Sequence, residues 1–152
     1  MKYLLYIIIG LAAVALLYFG FFNREQPPSS NQTKQPASTA QSIWETKTDN
    51  QPPVTIKVTP VEFGKDAQIW KFQTAFDTHS GSLDDDLLTA VSLVDDTGHV
   101  YLPISWEGPG PGGHHREGTF IFNPVQPLPK YVALKLKDVG GVPERSFRWD
   151  LE

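Results

Sequence analysis

The chain has 152 residues, room for one domain of ordinary size, and its 13 Lys and Arg against 17 Asp and Glu give a net charge of −4. Residues 54–152 carry nine basic and fourteen acidic groups, a net of −5, which disfavours nucleic acid as a partner because phosphate binding rests on clustered Lys and Arg. With no cysteine, disulfides, Cys-ligated zinc, iron–sulfur clusters, thiol catalysis and the lipid-modified cysteine of a lipoprotein are all excluded.

Residues 3–22, YLLYIIIGLAAVALLYFGFF, run for twenty positions without a charge. A helix of that length spans about 30 Å, the thickness of the hydrocarbon core. Lys2 precedes it, while Arg24 and Glu25 follow and offset each other, so the positive-inside bias predicts a cytoplasmic N-terminus and an extracytoplasmic C-terminal domain. AVA at 13–15 has the small-x-small form of a signal-peptide cleavage site, but the apolar LLYFGFF follows where a polar region is expected. Residues 1–22 are therefore expected to be a retained single-pass signal-anchor. GFFNRE, 20–25, has the Gly-Phe of a prepilin cleavage site, yet here the apolar helix precedes the site instead of following it. The pilin reading is rejected.

Residues 23–53 are rich in Gln, Asn, Ser, Thr and Pro, and too poor in apolar surface to offset the entropy of ordering. They are expected to be a flexible linker. Ile43 and Trp44 are the exception, an apolar pair that either docks on the domain or a partner or simply stays in the linker.

From residue 54 short alternating runs begin. VTIKVTPV (54–61) sets Val54, Ile56 and Val58 on one face, and AQIWKFQTAFD (67–77) does the same with Trp70, Phe72 and Phe76. LLTAVSLVD (87–95) is apolar on both sides, as a central strand is. HVYLPIS (99–105), GTFIFN (118–123), YVALKLK (131–137) and SFRWDL (146–151) complete seven runs. DDTG at 95–98 reads as a hairpin turn, NPVQPLP (123–129) as an extended crossover, and SLDDDLL (82–88) as one helical turn capped by Ser82. The expected fold is all-β: an antiparallel β-sandwich of about seven strands over residues 54–152. In that layout alone it resembles immunoglobulin-like and fibronectin-like domains; the Cys…Trp…Cys signature is missing.

Three polar clusters carry the candidate chemistry: Asp77 to Asp86, then Asp95, Asp96 and His99, then His114, His115, Arg116 and Glu117. Six aspartates and no Lys or Arg lie between Asp77 and Asp96. If the runs follow one another as reversals, the connections 78–86 and 106–117 leave from the same end of the sandwich and the DDTG turn from the other. His79 with His114 or His115, and Asp84 or Asp86, would then form a nitrogen/oxygen site suited to Zn(II) or Cu(II). Adjacent histidines on an extended strand point to opposite faces, so both ligate only if Gly112 and Gly113 bend the chain. The acidic run also offers oxygens to Ca(II), though without the spacing of an EF-hand.

A second reading explains the same residues with no metal: Arg116 forms a bidentate pair with Asp84, Asp85 or Asp86 and braces the long loop. Enzyme readings are weak. Asp77, His79 and Ser80 lie too close in sequence to reach triad geometry, no nucleophile elbow is present, and the glycines at 108–113 alternate with prolines that remove backbone donors. Trp70, Trp106 and Trp149 read as packing residues, with Trp106 also able to line a small binding surface. The expectation is a membrane-anchored extracytoplasmic domain that binds and does not catalyse. It either holds a metal or, through the Arg116–Asp85 brace, presents a loop surface to another cell-envelope protein.

Overall fold

A computed structural model of the chain describes residues 44–151. The expected anchor and residues 23–43 of the expected linker lie outside the described residues. In chain order the strands are β1 (Lys47–Asp49), β2 (Val54–Glu62), β3 (Trp70–Thr78), β4 (Val91–Asp95), β5 (Val100–Tyr101), β6 (Ser105–Glu107), β7 (His115–Phe122), β8 (Tyr131–Lys137) and β9 (Glu144–Asp150), with a short helix α1 (Leu87–Ala90) before β4. They form two sheets, ordered β1-β2-β3-β7-β6 and β5-β4-β8-β9, and every pairing is antiparallel.

The period-two alternation read from the sequence is what builds these layers. Every second residue of β3, of β9 and of β2 as far as Pro60 is buried, so each strand turns one row inward, apolar except for Thr74 and Thr78 in β3 and Arg145 in β9. Ile56, Val58, Phe72 and Phe120 of the first sheet share a single core with Leu93, Val132, Leu134 and Phe147 of the second. Phe63, just past β2, closes the core at one end. Its ring lies 4.9 Å from Trp44, 4.8 Å from Trp70 and 5.1 Å from Phe72. Trp44 thus docks on the domain.

Four expectations need correction. The fold begins before residue 54, because β1 pairs with β2, and a short edge strand joins through its backbone with little need of an apolar pattern. Buried Arg145 holds this segment in place: Nη1 donates to the Val54 carbonyl (2.9 Å) and to the Asp49 carboxylate, and Nη2 donates to the Gln51 carbonyl (2.9 Å). The run 87–95 is not all strand. Asp86 caps α1 by accepting from the Leu88 N–H at 3.1 Å, so the cap is Asp86 and not Ser82. The run 99–105 is divided, with β5 at the edge of one sheet and β6 at the edge of the other. Finally, β7 starts at His115, inside the segment expected to be loop.

The connections 50–53, 78–86, 108–114 and 138–143 gather at one end of the sandwich, here the loop end. Residues 63–69, 95–99 and 123–130 lie at the other, here the base. No helix among the described residues is long and apolar enough to cross a membrane.

Candidate functional site

β3 and β7 are neighbours, with Asp77 directly opposite His115. That pairing joins the first and third polar clusters at the loop end, as chain reversal predicts, although the chain changes sheet between β5 and β6. The two loops are stitched together by main-chain bonds. Thr78 N–H donates to the His114 carbonyl (2.9 Å), Leu83 N–H to Gly113 (3.1 Å) and Gly112 N–H to Leu83 (2.8 Å). Gly112 and Gly113 have φ of +119° and +76°, so the bend anticipated there exists and needs residues without a Cβ.

Arg116 is the centre of the arrangement. It is only 3% exposed. Its Nη1 donates to the carbonyls of Leu83 (3.0 Å) and Asp85 (2.9 Å), and its Nη2 donates to Pro109 (3.2 Å). The brace therefore holds both loops at once, but its acceptors are main-chain carbonyls and not the carboxylates of Asp84, Asp85 or Asp86. Burial pushes the Arg116 pKa down, and the nearby charges of Asp85, Asp86 and Asp84 push it partly back. These carboxylates act on Arg116 through the field, while the carbonyls fix its geometry. The Asp85 carboxylate faces the Gly140 N–H at 3.4 Å.

Trp106 closes the β6 side. Its Nε1–H donates to the Pro109 carbonyl (2.9 Å), and its ring packs 4.6 Å from Phe120. A Cβ at Gly118 would lie 2.5 Å from the Glu107 carbonyl oxygen and 2.7 Å from the indole, so the ring sits where only bare backbone leaves room. The packing reading of Trp106 holds.

No family model matches the chain, and no curated protein or solved structure is similar to it at a significant level.

The expected metal ligands are not brought into one group. His115 lies on the outer face of the first sheet, where Nδ1 is 2.6 Å from Asp77 Oδ1 and Nε2 is 3.7 Å from Glu117 Oε2. The hydrogen bond to Asp77 raises the His115 pKa; burial opposes this, and the charges of Asp77 and Glu117 add to it. His114 and His79 are exposed loop residues. Asp84 accepts from the Ser82 hydroxyl at 2.7 Å, and Asp86 is occupied as the helix cap. Among the described residues no three His, Asp or Glu side chains are grouped so as to hold a metal ion. His115 turns toward Asp77 because strand geometry sends successive side chains to opposite faces, and Arg116 takes the inward position.

The second polar cluster lies at the base and is a turn brace. Asp95 Oδ1 accepts from the Thr97 N–H (2.9 Å), the Thr97 hydroxyl (2.7 Å) and the His99 N–H (3.0 Å), while Oδ2 accepts from the Tyr101 hydroxyl (2.8 Å). Burial raises its pKa, but the bonds from Thr97, Tyr101 and His99 outweigh burial and hold the carboxyl well below the usual range. Sequence reasoning missed two sets of partners, Asp77 for His115 and the carbonyls for Arg116, and also a second buried guanidinium, Arg145. No local signal marks any of them, since each partner lies tens of residues away or is main chain.

Proposed function

We propose that the chain is a membrane-anchored interaction module with a non-catalytic immunoglobulin-like domain. Residues 3–22 form the anchor, and the domain, on the extracytoplasmic side, offers its loop end to another protein of the envelope. The strand order supports the immunoglobulin-like assignment. If β2 to β9 are lettered A, B, C, C′, D, E, F and G, the sheets read ABED and C′CFG, with β1 added outside A.

The observation that carries the binding reading is Arg116. A buried guanidinium fastened to three carbonyls fixes two exposed loops at the level of the main chain. A surface ordered before binding loses little conformational entropy when a partner docks. The exposed loop residues include His79, Ser80, Ser82, Asp84, Asp86 and His114, together with Pro109 and Pro111. They offer a polar, acidic face that suits a partner with complementary positive charge. The metal reading receives no such support, because His115, Asp84 and Asp86 already have protein partners.

The test is site-directed photo-crosslinking of the full chain in its native membrane. A probe replacing Ser80 or His114 is expected to yield one discrete adduct, and a probe replacing Thr97 at the base none. Arg116→Met should weaken the loop-end adduct. Equal labelling from both ends, or none from the loop end, would sink the proposal. A rise in the melting midpoint on adding Zn(II), Cu(II) or Ca(II) after chelation would restore the metal reading in its place.

A further inference from the structure

Five large apolar side chains are exposed among the described residues, and three of them fall in one five-residue segment: Val100 (62%), Leu102 (69%) and Ile104 (54%). This segment carries the chain from β5 to β6, across the open side of the sandwich and in the half nearer the base. Its exposure alternates. Tyr101 packs against the core, while its neighbours Val100 and Leu102 point outward. A lone exposed leucine is unremarkable, whereas a row of three aliphatics marks a contact surface.

The backbone argues against a strand as the occupant. β5 has two residues and β6 has three, and between them Pro103 lacks a donor, a combination that blunts a sheet edge against further pairing. What is offered is side-chain surface alone.

Charge and chain path point to lipid. The loop end carries Asp84, Asp85, Asp86 and Asp138 against one exposed cation, Lys137, whereas the base sets Lys65 and Lys130 against Asp66, Asp96 and the largely buried Asp95. Wherever the facing leaflet holds anionic lipid, it repels the loop end more strongly than the base. The described chain also begins at the base, with Trp44 seated on Phe63. Even fully extended, residues 23–43 reach no more than about 75 Å, which keeps the domain at millimolar effective concentration beside the bilayer.

We propose that Val100, Leu102 and Ile104 form a lipid-contact ridge that seats the domain on the membrane surface, base inward and loop end outward. The proposal rests on residues 3–22 being an anchor. Weak insertion of three aliphatics suffices, because the tether removes most of the cost of association.

The chain has no cysteine, so single labels are simple to place. The full chain is reconstituted in phosphatidylcholine–phosphatidylglycerol vesicles with an environment-sensitive fluorophore at Val100→Cys or at His114→Cys, and brominated-chain lipid is added as quencher. Quenching is expected to be several-fold stronger at position 100 than at 114. Adding Leu102→Asn and Ile104→Asn should bring it down to the level at 114, with the melting midpoint unchanged because both side chains are exposed. Co-flotation with the vesicles reports separately on the anchor. A chain that floats but is quenched equally at both positions refutes the ridge and leaves the anchor standing. A chain that does not float refutes both. Density-dependent self-quenching at position 100 without lipid quenching would mean that a second copy covers the ridge, which also overturns the proposal.

Discussion

Replacing Arg116 by Ala removes three hydrogen bonds, to Leu83, Asp85 and Pro109, from a site that is 3% exposed. Each bond contributes a net of about 0.5–1.5 kcal/mol. The guanidinium's desolvation, and its buried Nε without a hydrogen-bond partner, offset part of the sum, leaving an expected loss of about 2–3 kcal/mol. The described fold spans residues 44–151, and about 2.1 cal/mol/K per residue makes that loss a fall of roughly 10 °C in melting midpoint. Circular dichroism melting of the full chain in detergent reads it directly. Arg116→Lys should lose about half as much, since a point charge on a flexible stem cannot reach three diverging carbonyls. Asp85→Asn is the informative partner variant: it removes a nearby charge but no acceptor of the guanidinium, and should shift the midpoint by less than about 2 °C. If Asp85→Asn costs as much as Arg116→Ala, or if Arg116→Ala leaves the midpoint unmoved, the carbonyl brace is wrong.

Three further expectations follow from the same geometry. Gly118→Ala drives a Cβ into the Glu107 carbonyl and the Trp106 ring and should cost about 1–3 kcal/mol by chemical denaturation, whereas Gly110→Ala meets no atom within 4 Å and should be neutral. His115 should titrate above 6.5 by NMR, and in Asp77→Asn below its wild-type value. Because its folded pKa is raised, the stabilisation is complete below pH 6.5 and fades as pH rises through the folded value, so the midpoint advantage of wild type over Asp77→Asn should be larger at pH 6 than at pH 9. Equal advantage at both would refute the coupling. For Asp95 the sign is opposite, since its folded pKa is lowered. The advantage of wild type over Asp95→Asn should hold from pH 5 to 8 and shrink below about pH 4, where the unfolded carboxylate begins to protonate; an advantage that persists unchanged at pH 2 would contradict it.

The layers of this domain are written in its local side-chain pattern. Alternation at Val54, Ile56 and Val58, at Trp70, Phe72 and Phe76, and along SFRWDL is a local property, because a strand sends successive side chains to opposite faces wherever it pairs. Chain reversal likewise settled which connections share an end, so the meeting of residues 78–86 with 108–114 was legible in advance. What those residues do on meeting follows from contacts between distant parts of the chain. Asp77 reaches His115 across 38 positions through sheet register, and register is set by every pairing in the sheet, not by either residue. The acceptors of Arg116 are carbonyls, which every residue carries, so no choice of side chain could announce them. Arg145, which fixes β1 from the far end of the chain, likewise bonds two carbonyls, those of Val54 and Gln51, beside the Asp49 carboxylate. Side-chain pattern encodes burial, but contacts made to the main chain appear only once the fold has brought that main chain into place.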